Sequence, residues 1–262
     1  MSRRSPRRVA RLTLALALAA PVGCVHAPSR PRVEHDTASL LDSGPTARVS
    51  ARQAADVRFA LGRTHEEEGR PDQAEAAYRS ALERDPRRAD AEARLAILAD
   101  RKGDGAGADR HFERALKLEP ANPETLCDRG YSLYLRRRWS DAEASLRRAL
   151  AADPAHPRAH NNLGLVLARR GDTDGALAEF ARAGADRSDA RANLALVLAL
   201  EGRLDESRDQ YALALRDKPD SPAAREGLRV ATTALAAEGR SLARAGGTAP
   251  PADASIRRAS TP

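Results

Sequence analysis

The chain has 262 residues, of which 31% are charged and 3% are aromatic. Three Phe and one Trp are too few for the core of an ordinary globular domain of this length, whereas an array of small repeats built from Ala and Leu needs no aromatic core. The formal net charge of +7 comes from the termini, because residues 55–239 hold 31 basic and 33 acidic residues, so the charge does not indicate nucleic-acid binding.

The N-terminus has the layout of a bacterial secretory signal. Five Arg without an acidic residue precede the apolar run Leu12–Ala20, which is too short to span a bilayer. Gly23-Cys24 resembles a lipobox, the site at which a lipoprotein is cut and acylated, although Pro21 stands where that motif usually has an aliphatic residue. We therefore expect residues 1–23 to be a signal peptide and Cys24 to be lipidated. The alternative is ordinary export with conventional cleavage near Cys24.

Two segments lack helical periodicity and are rich in residues that favour loops. Residues 24–54 contain Pro, Ser, Thr, Arg and Asp, and residues 245–262 have a similar composition. The first segment is predicted to be a flexible tether, whose coil-like part spans about 25–30 Å on average. The second is predicted to be a disordered tail.

Between these segments one short pattern recurs five times. In SDAEASLRRALAADP it consists of Ala142, Leu146, Ala149 and Pro154: a small, a large and a small residue on one helix face, and then a helix breaker. Successive copies are 34 residues apart, except that the last follows after 31. A fixed period in this range is the signature of a repeat array. The large position of the five copies holds Tyr78, Phe112, Leu146, Phe180 and Tyr211.

Each copy is predicted to form two helices. The first carries Leu followed by a small residue, as in Leu163-Gly164, and ends at a Gly such as Gly171, since Gly tolerates the left-handed turn at a helix terminus. Asp72 and Ser140, each with Glu three residues later, match a capping box. The period, the Leu-Gly pair, the small–large–small face and the Pro resemble the tetratricopeptide repeat family. This resemblance implies an all-α, right-handed superhelical solenoid of helix-turn-helix units.

Two copies depart from the pattern. In the third, Arg137 replaces the terminal Gly, and the run Arg136–Arg138 is interpreted as a solvated helix end. In the fourth, three residues and the Pro are missing, so its second helix is predicted to end early, at Gly184. Residues 222–244 resemble the extra helix that covers the apolar face of a last repeat. The five repeats are assigned to residues 55–88, 89–122, 123–156, 157–187 and 188–221.

The sequence shows no constellation of catalytic residues. His156 and His160 are four residues apart, but no acidic third ligand is near in sequence, and both are predicted to face solvent. The Gly-rich stretch Gly103–Ala108 is not followed by the Lys-Ser/Thr of a phosphate loop. Cys127 has no CxxC partner and is predicted to be semi-buried. We therefore expect no enzymatic activity and no metal, cofactor or nucleic acid.

The inner face of the superhelix, formed by the first helices, is the predicted groove for a peptide or helix of a partner protein. Asn162 and Asn193 share one repeat position, where Asn in the family often hydrogen-bonds the backbone of a bound peptide. The row is incomplete, because Arg94 and Asp128 occupy this position in copies two and three. The alternative is that these Asn are merely tolerated on an exposed face. The predicted groove residues are Arg94, Asp128, Tyr131, Tyr134, Asn161, Asn162 and Asn193.

The resemblance implies a protein-interaction scaffold or adaptor. Together with the export signal, it predicts a lipoprotein anchored in a membrane and facing the periplasm, or a periplasmic or secreted protein if Cys24 is not lipidated. Bacterial lipoproteins of this build assist the assembly of pili or secretion channels. The alternative is a cytosolic regulatory or chaperone adaptor with an uncleaved N-terminus.

Overall fold

The computed structural model describes residues 49–246, and all eleven elements in this range are α-helices. The first ten helices have 10 to 17 residues, and the last has 25. In chain order they are α1 (Ala51–Glu67), α2 (Pro71–Arg84), α3 (Ala89–Arg101), α4 (Gly105–Leu118), α5 (Pro123–Leu135), α6 (Trp139–Ala152), α7 (Pro157–Arg169), α8 (Thr173–Arg182), α9 (Arg187–Leu200), α10 (Leu204–Asp217) and α11 (Pro222–Gly246).

Consecutive helices pack as pairs, α1 with α2 and so on to α9 with α10, and each pair packs on the next. The last helix, α11, lies against both α9 and α10, at the place where a sixth pair would begin. The all-α solenoid of helix pairs that the family resemblance implies is confirmed. The first helix begins at Ala51, four residues before the start assigned to the first repeat.

Within a repeat, the small residue of the first helix faces the large residue of the second. A Cβ atom placed on Gly164 would lie 2.7 Å from Cε1 of Phe180, far inside van der Waals contact, so only Gly allows this approach of the helices. Gly130 stands in the same relation to Leu146. The side chains of the large position are all buried: Tyr78, Phe112, Leu146, Phe180 and Tyr211.

The turns after the helices contain residues with a left-handed backbone conformation. Arg137 adopts a left-handed conformation with φ of 61°, which costs a residue with a Cβ atom more than it costs Gly. The early end of the fourth repeat's second helix is confirmed, because α8 stops at Arg182 after 10 residues where α6 has 14, and Gly184 follows with φ of 98°. The other first helices end, as predicted, at a Gly with positive φ: Gly69, Gly103, Gly171 and Gly202.

The capping boxes predicted at Asp72 and Ser140 are wrong. The N-cap positions of α2 and α6 lie two residues earlier and hold Arg without a side-chain cap, so both predicted cap residues lie in the first helical turn. In α4 this cap position holds Asp104, whose Oδ1 accepts a hydrogen bond from the Gly107 backbone N–H at 2.8 Å. The repeat register therefore fixes the true cap position better than the local Ser/Asp-x-x-Glu pattern does.

Among residues 49–246, no helix combines the length and the apolar composition needed to cross a bilayer. The predicted signal peptide, the lipidation site Cys24, the tether up to residue 48 and the tail from residue 247 lie outside the described residues.

Candidate binding groove

The first helices of the repeats pack side by side, α3 against α5, α5 against α7 and α7 against α9. Residues at equivalent repeat positions therefore form rows across these helices. One such row is apolar and partly open to solvent. It consists of Ile97, Tyr131, Leu165 and Leu196.

Two leucines extend this apolar row by one helical turn, since each lies four residues beyond a member of it. Tyr131 is 41% exposed, Leu135 59% and Leu200 57%. Large side chains that remain exposed together on one face of a folded protein mark an interaction site more often than isolated ones do. The row and its two leucines are called the apolar stripe below.

Tyr134, in contrast, is buried and contacts a side chain of the next repeat. Its ring stacks on Tyr131, with centroids 6.1 Å apart, and lies 5.4 Å from the Trp139 ring. The Arg169 guanidinium lies 5.6 Å from the centroids of both the Tyr134 and Trp139 rings, and its Nε donates to Tyr134 Oη at 3.2 Å. Arg169 also pairs with Glu201 of the fifth repeat. Of the two tyrosines, Tyr131 is thus the one that a ligand can reach.

The asparagines of the predicted groove differ in their surroundings. Asn162 is only 8% exposed, and its Nδ2 donates to Cys127 Sγ at 3.5 Å. Asn193 is half-buried, and its side chain has no hydrogen-bond partner within the described part of the chain. Asn161 is also half-buried. The amide of Asn193 is therefore free to pair with a ligand's peptide group, while that of Asn162 is engaged within the array.

The charged groove residues are paired across repeats. Arg94 of the second repeat donates from Nε to Glu66 Oε2 of the first repeat at 2.7 Å, and Asp128 accepts from Arg158 of the following repeat. Glu66 Oε2 also accepts from Tyr78 Oη at 2.6 Å. Burial and this hydrogen bond to a carboxylate both raise the pKa of the Tyr78 hydroxyl. These charged side chains therefore already neutralise each other. The exposed apolar stripe, in contrast, remains open to a ligand on this face.

The prediction that His156 and His160 face solvent is wrong, because both are buried. His160 Nδ1 lies 2.6 Å from Glu179 Oε2 and its Nε2 2.9 Å from the Pro154 carbonyl oxygen. His156 Nδ1 accepts from the Ala159 backbone N–H and so caps α7. Within residues 49–240, no group of three His, Cys, Asp or Glu side chains is arranged to hold a metal ion.

Cys127 is fully buried, whereas the sequence predicts a semi-buried side chain. Burial raises the pKa of its thiol to about 11. The thiolate is the nucleophilic form of cysteine, so this residue is held in its unreactive state. Its contact with Asn162 gives it a structural role at the boundary between the third and fourth repeats.

The prediction from sequence missed four residues near this face. They are the two leucines that extend the apolar stripe, Trp139, which contacts Tyr134, and Glu66, which pairs with Arg94. The repeat register carries a signal for the leucines, since Leu135 lies four residues after Tyr131, and Leu200 four residues after Leu196, the equivalent position in the fifth repeat. No sequence pattern indicates Trp139, because its contact with Tyr134 depends on the turn at Arg137.

Comparison with known proteins identifies the repeats and a relative. Family models described as tetratricopeptide repeat match residues 55–98, 127–190 and 177–222, together more than half of the chain. The type IV pilus assembly protein PilF of Pseudomonas aeruginosa is 34% identical over 117 residues, which is 44% of this chain and 46% of that protein. The sequence match therefore spans less than half of this relative.

Solved structures share the fold. The structure of Pseudomonas aeruginosa PilF superimposes with a TM-score of 0.54 at 25% identity, covering 71% of this chain and 91% of that one. PilW, described as a widely conserved type IV pilus biogenesis factor, gives a TM-score of 0.54 at 22% identity over 67% of this chain and 90% of its own, a likeness of fold alone. Proteins built from such repeats are in general non-enzymatic interaction scaffolds. With five helix pairs within residues 49–246, matching family models and this shared architecture, the chain belongs to the tetratricopeptide repeat family.

Proposed function

We propose that the protein is a non-enzymatic adaptor at the bacterial cell envelope that aids assembly of a type IV pilus. The observation that carries this proposal is the 34% identity with PilF, which is named as a type IV pilus assembly protein. The superposition on the PilF structure, which covers 91% of that chain, supports it at the level of the repeat array. A secretion complex is the related assembly that the same architecture would serve.

The partner binds through a peptide segment or helix laid along the apolar stripe. Tyr131 and Leu135 are adjacent on α5 and exposed, and they offer a site for apolar side chains of the ligand. Asn193, two repeats further on, offers both a donor and an acceptor to a peptide group. Apolar contacts supply affinity here, and the amide fixes the direction of the bound segment.

The N-terminus holds the array at a membrane. Acylation of Cys24 after removal of residues 1–23 would attach lipid chains, and two or more chains anchor a protein stably where one does not. The following residues then act as a tether, so the groove is kept near envelope partners at a raised effective concentration. Without acylation, the same chain is periplasmic or secreted.

The anchor is tested by fractionation of a bacterial host that expresses the full chain. Cys24→Ser should move the protein from the membrane pellet to the soluble periplasmic fraction, whereas Cys127→Ser, which leaves the N-terminus unchanged, should not. An unchanged distribution of the Cys24 variant contradicts acylation as the anchor. Mass spectrometry of the N-terminus distinguishes an exported protein from a cytosolic adaptor, which would keep residues 1–23.

The pilus role is tested in the native host by deleting the gene and counting surface pili. The wild-type chain should restore pili, and Tyr131→Ser with Leu135→Ser should not. Leu118→Ser is the matched control, because Leu118 is also exposed but ends a second helix, α4. Normal piliation of the deletion strain contradicts the pilus role. A pull-down from detergent-solubilised envelopes then identifies whichever partner the groove binds.

A further inference from the structure

The apolar stripe meets two arginines at its N-terminal end. Its first member, Ile97, lies three residues after Arg94 and four before Arg101 on α3, so the three side chains share one face of the helix. Arg101 occupies the repeat position at which the third and fifth repeats have the stripe residues Leu135 and Leu200. The second repeat therefore has a cation where those repeats have an exposed leucine.

The two arginines share one carboxylate. Arg94 Nε donates to Glu66 Oε2 at 2.7 Å, and Arg101 Nη1 donates to Glu66 Oε1 at 3.4 Å. The Glu66 side chain is 6% exposed, whereas that of Arg101 is 61% exposed. Neither arginine pairs with a second carboxylate within the described part of the chain. One positive charge of this cluster is therefore uncompensated there, and Arg101 is the arginine that a ligand can reach.

The stripe does not continue into the first repeat. Arg63 stands at the repeat position of Ile97 and Tyr131, and its Nη2 lies 3.6 Å from Glu67 Oε1 on the same helix. The row is therefore polar in the first repeat and apolar from Ile97 onward. An apolar ligand segment thus reaches the end of its contact surface beside Arg101.

The start of α5 carries the opposite excess of charge. Arg158 donates to Glu124 Oε2 at 3.1 Å and also to Asp128, so two carboxylates share one guanidinium. No other Arg or Lys pairs with either carboxylate among the described residues. His156, whose Nε2 lies 3.5 Å from Glu124 Oε2, accepts a hydrogen bond at Nδ1 and is therefore neutral. An acidic ligand group is repelled from this place and attracted to Arg101.

One short segment can meet both Arg101 and the exposed apolar side chains. Arg101 and Leu135 hold equivalent positions on α3 and α5, and the axes of packed helices lie about 8–10 Å apart. Tyr131 lies one turn, about 6 Å, from Leu135 along α5. An extended chain advances about 3.3–3.6 Å per residue, so about three residues of the ligand separate the group at Arg101 from the group at Leu135.

We infer that the groove selects a partner segment in which an acidic side chain lies about three residues from a pair of apolar side chains. The apolar pair packs on Tyr131 and Leu135, and the carboxylate pairs with Arg101. The acidic end of the bound segment therefore faces the second repeat. This inference rests on the proposed binding of a partner segment in the groove and adds the charge of that segment. It does not depend on the pilus or on the acylation of Cys24.

The first test selects ligands from a library of random peptides displayed on phage. The peptides are joined to the phage through their carboxyl ends, so that they offer no free C-terminal carboxylate. Peptides selected on the full chain are discarded if they also bind the variant Tyr131→Ser with Leu135→Ser. The remaining, groove-dependent peptides should be enriched in Asp or Glu about three residues from an apolar pair. The same selection on Arg101→Glu should instead enrich Lys or Arg at that place.

The possible results separate this inference from the proposed groove. Groove-dependent peptides of the same charge composition on wild type and on Arg101→Glu overturn the inference but leave the groove in place. Groove-dependent peptides without acidic enrichment also overturn it, whether the groove takes apolar side chains alone or a free C-terminal carboxylate. If no peptide depends on Tyr131 and Leu135, the proposed groove is contradicted, and this inference with it.

The second test is titration calorimetry with a synthetic copy of the most enriched peptide. Arg101→Gln should weaken its binding about two- to fivefold at about 0.1 M salt and less at about 1 M, because exposed ion pairs are screened. The fold should persist, since Glu66 keeps its hydrogen bond from Arg94. Replacing the acidic residue of the peptide by its amide should have an effect that is not additive with Arg101→Gln.

Arg147→Gln is the matched control for this titration. Arg147 is similarly exposed, and its partner Glu143 also pairs with a second arginine, Arg170, but Arg147 lies on α6, a second helix. The control should bind the peptide as the wild type does. Equal affinities of Arg101→Gln and Arg147→Gln, or additive effects of Arg101→Gln and the neutralised peptide, overturn the inference.

Discussion

Arg136 and Asp109 join the third repeat to the second through a bidentate ion pair, with Nη2 2.7 Å from Oδ1 and Nη1 3.0 Å from Oδ2. Arg136 Nη1 also donates to the Gly105 carbonyl oxygen at 2.8 Å, and Arg138 reaches Asp109 as well. The interpretation of Arg136–Arg138 as a solvated helix end is therefore wrong for Arg136. Its guanidinium is held between repeats in the geometry that makes arginine–carboxylate pairs strong.

This ion pair predicts a stability difference that depends on pH. Hydrogen bonding to Arg136 lowers the pKa of Asp109 below its ordinary value of 3.8. A carboxylate with a lowered pKa stabilises the fold above the unfolded-state pKa and ceases to do so as pH falls through the folded-state pKa. Asp109→Asn should thus cost about 1 kcal/mol near neutral pH, since the pair is partly exposed, and progressively less below pH ~3.8.

Urea unfolding of both proteins across this pH range measures the effect. Asp220→Asn serves as the control, because Asp220 is exposed in a turn and makes no ion pair among the described residues. A difference between Asp109→Asn and wild type that stays constant as the solution is acidified would contradict the ion-pair account.

The left-handed backbone conformation of Arg137 predicts that glycine at this position stabilises the fold. Its φ of 61° is unfavourable for any residue with a Cβ atom, and its side chain is exposed. Arg137→Gly should raise the free energy of unfolding by about 1 kcal/mol. Gly171→Ala, at the same position of the next repeat, where φ is 85°, should lower it by a similar amount. Denaturant midpoints at unchanged m-value decide the point, and equal midpoints in all three proteins would refute it.

The close packing around Ala142 predicts that a larger side chain at this position destabilises the fold. Ala142 is fully buried on α6, and a Cβ atom on Gly130 of α5 would lie 3.4 Å from the Ala142 carbonyl oxygen, so the two helices are already in close contact. Ala142→Leu should cost about 1–3 kcal/mol. Ala144→Leu, two residues further along the same helix but exposed, should change stability little. If thermal unfolding gives the two variants the same midpoint, the buried face of α6 is assigned wrongly.

The period of 34 residues was sufficient to predict the helix pairs, their small–large–small contacts and the short helix α8, because repeated sequence positions occupy repeated structural positions. The same period predicted that Tyr131 faces the groove, and this side chain is exposed in the structure. The burial of His160 was not predicted in this way, since its partner Glu179 lies 19 residues away on another helix and the second repeat holds the corresponding pair in reverse, as Glu92 and His111. Local sequence does not reveal which polar residues meet across a helix pair.

The two asparagines at one repeat position, Asn162 and Asn193, show a second limit of prediction from the repeat period. Equal repeat position predicts equal direction on the helix, yet it does not predict equal surroundings. Asn162 meets Cys127 of the preceding repeat, whereas Asn161, which holds the position equivalent to Cys127 in the fourth repeat, makes no hydrogen bond with Asn193 among the described residues. Replacing Asn162 would therefore mix a loss of stability with any loss of binding, and Asn193 is the cleaner site for a binding test.

The groove is tested most directly by titration calorimetry with the partner captured from solubilised envelopes. Tyr131→Ser with Leu135→Ser should weaken binding by about 2 kcal/mol or more, because an aromatic anchor and its apolar neighbour are lost together. Asn193→Ala should weaken it by about 0.5–1.5 kcal/mol, the value of one hydrogen bond. Leu118→Ser should bind as wild type does, and all variants should keep the wild-type helicity and melting temperature. Undiminished affinity of the Tyr131 and Leu135 double variant would contradict the account and place the partner on another surface of the array.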